Sequence, residues 1–229
     1  MKNIFFSQYD KAIYPLKKFT ANEIPDTIKK FLCSDESFLN GAVRGGLAYI
    51  LLTKSADYVL SDIDLIYPLS SFELVVEYYS HNADYVFVNH NTFLDTVVTA
   101  FWQNGGKFYK VDALILEKIP LTILIEWENH ILKIVDGFFL WYDRLQKISQ
   151  RFLRGHTEQK TRNHILVANR LAEYLHKENA FVPSNPPCDL EQLVLAAVKV
   201  ADEFLTPLEA STFINLQKKL LLKMEPLEP

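Results

Sequence analysis

Residues 44–67, RGGLAYILLTKSADYVLSDIDLIY, combine a glycine pair, an apolar run and two aspartates within an otherwise apolar segment. We predict that Gly45 and Gly46 open a short helix and that VLSDIDLIY forms a strand. Because alternate side chains of a strand leave the same face, Asp62 and Asp64 then lie side by side. Two carboxylates at that separation repel each other unless a cation lies between them. The stretch therefore predicts a strand–helix–strand unit that binds a hard divalent ion, Mg²⁺ or Mn²⁺.

A third carboxylate in a comparable setting occurs in KFYKVDALIL, where Asp112 has apolar neighbours. This segment and DTVVTAFW are rich in β-branched and aromatic residues, and they flank the sequence QNGG at 103–106. The Asn-Gly and Gly-Gly steps tolerate the positive φ of a tight turn, so we predict a β-hairpin. If its second strand neighbours the Asp-x-Asp strand, three carboxylates converge. Two metal ions about 3.5–4 Å apart can then promote phosphoryl transfer.

Gly45 and Gly46 meet a second requirement of that chemistry. Glycines at a helix start let backbone N–H groups approach phosphate oxygens, where the helix dipole also favours negative charge. Arg44, immediately before them, adds a cation to this predicted nucleotide-binding segment. A Gly-Gly step alone is more often a packing turn, and an isolated Asp-x-Asp is more often a surface turn. Their combination at this spacing, with Asp112 on a later strand, is much more specific.

The succession of an apolar residue, Gly-Gly, a spacer, Asp-x-Asp and a later strand carboxylate resembles the polymerase-β-type nucleotidyltransferase superfamily. Within it, RGGLAYILL…SDIDLIY is most similar to the AbiEii-like abortive-infection toxin branch. The resemblance implies that Gly45 and Gly46 hold the triphosphate of an NTP. It implies that Asp62 and Asp64 bind the metals and that Asp112 helps to activate the acceptor hydroxyl. It also implies a small mixed sheet with flanking helices, followed by a helical bundle.

The resemblance covers roughly residues 36–150, and within them the chain departs from the branch pattern. The branch usually has an arginine shortly before Asp-x-Asp, where this chain has Tyr58, Val59 and Leu60. The threonine that usually follows Gly-Gly is Leu47 here. A later basic motif of the branch is echoed loosely either by WYDRLQK or by Lys160 and Arg162. We predict that Lys147 of WYDRLQK contacts the nucleotide phosphates.

Residue periodicity predicts an α+β protein in two parts. The first part, residues 1–137, is the nucleotidyltransferase domain that the resemblance implies, and we predict further strands in FLNGAV, DYVFVNH, TILIEW and ILKIV. Its helices are a short one starting at Pro25-Asp26 and FELVVEYYS, which Ser70 or Ser71 with Glu73 could cap. Residues 138–229 form the helical bundle domain, with helices up to Leu153 and then over 157–178, 189–204 and 207–224. In NHILVANRLAEYL, one face carries four apolar side chains: Ile165, Ala168, Ala172 and Leu175.

The charge is uneven along the 229 residues, whose formal net charge is −4. Residues 144–170 carry seven lysines and arginines against Glu158 as the single acidic residue. This stretch predicts either a surface for a phosphate-bearing partner such as RNA or the solvated face of helices.

The cysteines and the apolar stretches predict where the protein works. Cys33 and Cys188 form no CxxC pair, so neither a disulfide framework nor a zinc site is expected. No apolar stretch is long enough to span a bilayer, and no long apolar segment precedes Asp10. We therefore expect a soluble, cytoplasmic protein without a membrane partner.

The leading functional hypothesis is a Mg²⁺-dependent nucleotidyltransferase that moves NMP from an NTP to an acceptor hydroxyl and releases pyrophosphate. The toxin-like resemblance favours a nucleic-acid acceptor, tRNA first, and a cognate antitoxin protein as partner. One alternative is a catalytically silent fold used for binding or assembly, motivated by the missing arginine and threonine. Another is a transferase that modifies a small molecule such as an antibiotic, which predicts a deep pocket beside the aspartate pair.

Overall fold

A computed structural model of the chain describes residues 4–33, 40–90, 96–177 and 187–224. The chain divides into two compact units, Met1–Val135 and Asp136–Pro229. Within the described ranges, no helix is long and apolar enough to cross a membrane.

The first unit is built on one mixed β-sheet. Its eight strands are β1 Ile4–Phe5, β2 Ala42–Arg44, β3 Ile63–Pro68, β4 Tyr85–His90, β5 Thr96–Asn104, β6 Lys107–Leu116, β7 Thr122–Trp127 and β8 His130–Val135. They lie in the order β1-β4-β5-β6-β3-β2-β8-β7. The pairs β1–β4, β3–β6 and β2–β8 are parallel, and the other neighbours are antiparallel. The predicted fold class, a mixed sheet with helices, is confirmed.

Among its described residues, this unit has three α-helices: α1 Asp26–Cys33, α2 Gly45–Thr53 and α3 Phe72–Asn82. Helix α2 is apolar on all sides and almost wholly buried, as expected for a helix enclosed by its own domain. It ends at Lys54, which adopts the left-handed conformation with φ of 55°. At the start of α3, Ser71 occupies the N-cap position, but it makes no side-chain cap hydrogen bond. The predicted serine cap is therefore wrong, and a 3₁₀ turn over Leu69–Ser71 leads into the helix instead.

The predicted hairpin is confirmed as β5 and β6. Gly105 and Gly106 form its turn with φ of 59° and 77°, values that favour glycine. At the hairpin's turn end, Phe101 and Phe108 pack with Phe87 of β4 into an aromatic cluster. The other predicted strand pair is also observed, as β7 and β8. Strand β2 covers only the end of the predicted FLNGAV strand, and residues 34–39 lie outside the described residues.

The second unit is helical, with α4 Gly137–Ser149, α5 Glu158–Lys177, α6 Leu190–Phe204 and α7 Pro207–Met224. The side chain of Asp136 caps α4 by accepting a hydrogen bond of 2.8 Å from the Phe139 N–H. Helix α4 ends at Ser149 rather than at the predicted Leu153. The apolar face predicted for α5 is confirmed, because all four of its side chains are buried. In the core, Trp141 Nε1 donates to Gln217 Oε1 over 2.7 Å.

Part of the predicted basic surface is buried within this unit. Arg144 and Arg151 are only 5% and 6% exposed. The Nη2 group of Arg151 donates to Glu203 Oε2, and Arg144 Nη1 lies 3.1 Å from His164 Nδ1. Two of the seven cations of residues 144–170 therefore stabilise the helical packing instead of facing a partner.

His164 is held neutral by this arrangement. Because an arginine only donates hydrogen bonds, Nδ1 of His164 is an acceptor beside Arg144. Burial, and then the charges of Arg144, Lys147 and other nearby basic groups, lower the pKa of His164 to about 3. Protonation of this imidazole would place a second positive charge beside a buried guanidinium.

We predict that His164 makes the protein less stable as the pH falls below about 6.5. In the unfolded chain the imidazole takes up a proton near pH 6.5. In the folded chain it remains neutral down to about pH 3. The unfolded state thus binds more protons in this window, and the contribution from His164 to the free energy of unfolding should fall by about 2 kcal/mol between pH 7 and pH 5.

Urea denaturation at both pH values measures this loss. His164→Gln, which retains an acceptor for Arg144, should remove that part of the pH dependence. His81→Gln, at an exposed position of α3, is the matched control. An identical pH dependence in the wild type and in His164→Gln would contradict the prediction.

Candidate active site

Four side chains of the first unit form a row across adjacent strands. Asp64 of β3 pairs directly with Asp112 of β6, in parallel register. On one side Asp112 pairs with Thr99 of β5, and on the other side Asp64 pairs with Arg44 of β2. Directly paired residues of a sheet point to the same face. Strands β3 and β6 are therefore neighbours, as the predicted convergence of the carboxylates requires.

Asp62 joins this row from a position just ahead of β3. Asp62, Asp64 and Asp112 each offer one carboxylate oxygen, and these three atoms lie within 4.8 Å of one another. Asp62 was predicted to lie inside the strand, but β3 begins at Ile63. The reason is that Leu60 pairs with Phe19 through two backbone hydrogen bonds of 2.7 and 3.0 Å, which draws the chain away from β6.

The three carboxylates suit a hard divalent ion. All the donors are anionic oxygens, which Mg²⁺ and Mn²⁺ prefer. Each of the three side chains is partly exposed, so an ion can reach the cluster from solvent. The residues present thus fit the predicted metal site, which we call the acidic triad.

A lysine that sequence reasoning missed lies within the acidic triad. Lys110 Nζ is 2.9 Å from Asp62 Oδ2 and 2.6 Å from Asp112 Oδ2. Burial by itself lowers the pKa of Lys110, but the charges of Asp112 and Asp62 and their hydrogen bonds raise it well above its ordinary value. These contacts favour the ammonium form of Lys110. The sequence did contain a signal, because a lysine two residues before Asp112 in the same strand shares its face.

Asp112 is held on both of its oxygens. Oδ1 accepts a hydrogen bond of 2.7 Å from Thr99 Oγ1, and Oδ2 accepts one of 2.6 Å from Lys110. Thr99 is 5% exposed and lies opposite Asp112 in the hairpin. These contacts fix the orientation of the carboxylate before any ligand binds.

Each residue of the glycine pair packs closely against a different neighbour. Gly45 has a φ of 68°, and a Cβ added there would lie 2.0 Å from Asp64 Oδ2. A Cβ on Gly46 would lie 2.5 Å from Leu60 Cδ2. Gly45 therefore lets the start of α2 pass directly beside the carboxylate of Asp64. The role predicted for Gly45 and Gly46 in holding phosphates remains a prediction, as does the role of Arg44, the N-cap residue of α2.

Lys147, the remaining predicted site residue, lies in α4 of the second unit. Its Nζ forms an ion pair of 2.8 Å with Asp143, one helical turn earlier. Its predicted contact with nucleotide phosphates stays a prediction.

A cavity of about 510 Å³ lies on the other face of the sheet. It is lined in part by Leu65 and Tyr67 of β3, which alternate with Asp64 along the strand. Side chains one residue apart in a strand leave opposite faces. This cavity is therefore distinct from the acidic triad and does not provide the deep pocket beside the aspartates that a small-molecule acceptor predicts.

Comparisons with known proteins identify the fold. No protein-family model matches the chain, and no curated protein is significantly similar to it in sequence. Among solved structures, an antigenic nucleotidyltransferase-like protein from Paracoccidioides brasiliensis aligns with a TM-score of 0.55 and 14% identity, over 86% of this chain and 94% of that chain. The fold is nucleotidyltransferase-like. The narrower resemblance to the AbiEii-like branch remains a prediction.

Two further structures align with lower TM-scores. A putative nucleotidyltransferase from H. pylori aligns with a TM-score of 0.42 and 14% identity, over 89% of this chain and 96% of that chain. ANT(2")-Ia in complex with adenylyl-2"-tobramycin aligns with a TM-score of 0.45 and 13% identity, over 79% of this chain and 98% of that chain.

We predict that Gly45→Ala destabilises the protein much more than an alanine at the hairpin turn. Both positions have positive φ, which an alanine adopts at a cost of about 1–2 kcal/mol. Only at Gly45 does the added Cβ also meet a neighbour, whereas at Gly105 nothing lies within 4 Å. Overpacking of this kind costs about 1–3 kcal/mol more.

The free energies of unfolding of Gly45→Ala and Gly105→Ala, measured in urea, test this difference. Equal losses in the two variants would show that the contact with Asp64 is not needed for the fold.

Proposed function

We propose that the protein is a nucleotidyltransferase that uses a divalent ion, Mg²⁺ or Mn²⁺, and an NTP as substrate. The observation that supports this most is the acidic triad, with three carboxylate oxygens within 4.8 Å on a nucleotidyltransferase-like fold. Clustered carboxylates repel one another, and a divalent ion bound between them would offset that repulsion.

In this reaction an acceptor oxygen forms a bond to the α-phosphorus of the NTP. The bond between that phosphorus and the oxygen leading to the β-phosphate breaks, and pyrophosphate leaves with the electron pair. The hydroxyl proton passes to a carboxylate of the acidic triad and then to water. A bound divalent ion would supply positive charge to the phosphate oxygens. Negative charge builds up on these oxygens as pyrophosphate leaves, and the ion would stabilise it.

The chain's own residues bind and orient the reactants in this proposal. Asp62 and Asp64 hold the divalent ion, and Asp112, fixed by Thr99 and Lys110, orients the acceptor hydroxyl. The start of α2 at Gly45 and Gly46 binds the triphosphate through backbone N–H groups, because the amino end of a helix favours anions. Arg44, which directly precedes these glycines, adds positive charge toward the phosphates.

We propose RNA, with tRNA the first to test, as the acceptor. In residues 144–170 the cations Arg154, Lys160 and Arg170 are exposed, and exposed cations can contact a phosphate backbone. The resemblance to the AbiEii-like branch supports a toxin-like role, and with it a cognate antitoxin protein that restrains the activity.

A second candidate is a catalytically silent nucleotidyltransferase fold that acts as a binding or assembly module. The position of Lys110 favours it, because an ammonium already bridges two of the three carboxylates. The absence of the branch arginine before Asp62 points the same way.

Incubation with labelled NTPs, Mg²⁺ and total RNA separates these candidates. We expect label transfer that falls by at least about 100-fold in Asp62→Asn and Asp64→Asn, since even partners of metal ligands contribute 10–100-fold. Asp57→Asn is the matched control, because Asp57 is exposed and lies outside the acidic triad. It should leave transfer unchanged.

The remaining outcomes identify the alternatives. Transfer to a small hydroxylated molecule such as an aminoglycoside, without salt-sensitive RNA binding, would point to a small-molecule acceptor. No transfer with any NTP or acceptor, together with no Mg²⁺-dependent NTP binding, would contradict the enzyme and leave the silent module.

A further inference from the structure

The ammonium of Lys110 occupies a position that a metal ion would otherwise take. Nζ bridges the Oδ2 atoms of Asp62 and Asp112, at 2.9 and 2.6 Å. A divalent ion needs about 2.0–2.1 Å to each oxygen if it is Mg²⁺. It cannot bridge the same two oxygens at that distance unless the ammonium first leaves.

The structure holds Lys110 firmly in this place. Lys110 belongs to β6, which is paired on both sides by β5 and β3, and it is 7% exposed. The ring centroid of Tyr9 lies 5.9 Å from Nζ, within the distance at which a ring attracts a cation. A buried ammonium that loses its carboxylate partners is strongly destabilised. Displacement of Lys110 by an ion is therefore costly.

We propose that Lys110 is a built-in cation that replaces one of the two divalent ions of a two-metal centre, so that the acidic triad binds a single divalent ion together with the nucleotide. This inference rests on the proposed nucleotidyltransferase function. The position of the ammonium supports it, because Nζ lies between Asp62 and Asp112 and already offsets the repulsion that a second ion would otherwise offset there.

Lys110 would also take over a structural role that the second divalent ion has in a two-metal centre. It keeps Asp62 and Asp112 close together without a metal, because Nζ contacts both carboxylates. We therefore assign Lys110 as a positioning residue of the metal site, distinct from the carboxylates that bind the ion.

Counting Mn²⁺ on the full chain tests the proposal without any turnover. Equilibrium dialysis and electron paramagnetic resonance are performed with Mn²⁺ and the α,β-methylene analogues of ATP, GTP, CTP and UTP, which cannot release pyrophosphate. We expect one Mn²⁺ per wild-type chain, with the hyperfine pattern of an isolated ion, and its loss in Asp64→Asn. Two spin-coupled ions in the wild type that are lost in Asp64→Asn would overturn the proposal and leave the proposed function intact.

If the wild type binds no Mn²⁺, or if Asp64→Asn binds as much Mn²⁺ as the wild type, the proposed function is overturned and this inference with it. The two failures are therefore distinguishable in one experiment.

Lys110→Met tests the role of the charge, because methionine retains an unbranched side chain without the ammonium. We expect the variant to bind two Mn²⁺ and to show the spectrum of a spin-coupled pair. Lys107→Met, at an exposed position of the same strand, should bind one ion like the wild type. A folded Lys110→Met chain, verified by circular dichroism, that still binds one isolated ion would contradict the proposal. The wild-type count decides the proposal even if Lys110→Met does not fold.

Discussion

The parallel pairing of β3 with β6 is the constraint on which the candidate site depends. It places Asp64 directly beside Asp112, and the repulsion between these carboxylates must be offset in a partly buried place. The surrounding structure supplies the offset in several ways. Lys110 provides a positive charge, and Thr99 donates a hydrogen bond to Asp112. Gly45 has no side chain and so leaves room for the Asp64 carboxylate.

Much of this arrangement can be predicted from sequence. The Asp-x-Asp spacing and the glycine pair predict a metal site beside a helix start, and the QNGG turn predicts the hairpin that carries Asp112. A hairpin that turns on Gly105 and Gly106 also sets Thr99 opposite Asp112 by counting back along both strands. The hairpin and the clustering of Asp62, Asp64 and Asp112 are observed, because their prediction rests on strand alternation and on the positive φ of glycine. The binding of a metal remains a prediction.

The parts that could not be predicted depend on contacts between distant segments. Asp62 leaves the strand because Leu60 pairs with Phe19, some forty residues earlier in the chain. Arg144 and Arg151 look like surface cations in sequence, yet their partners His164 and Glu203 come from other helices. Strand alternation predicts that Lys110 shares a face with Asp112. It does not predict the contact of Lys110 with Asp62, because Asp62 lies before the start of β3, where strand alternation does not apply.

The shared strand of Lys110 and Asp112 has a consequence for how the sheet selects its pairing. A shift of β6 by one residue would turn both side chains to the opposite face of the sheet. Asp62 and Asp64 would lose their counter-charge, while an ammonium and a carboxylate would enter apolar surroundings. Most of β6 is buried, so an apolar pattern alone discriminates weakly between these pairings. The charged cluster thus favours the correct register of β6 during folding. A sheet with a shifted β6 is electrostatically unfavourable even when no substrate is bound.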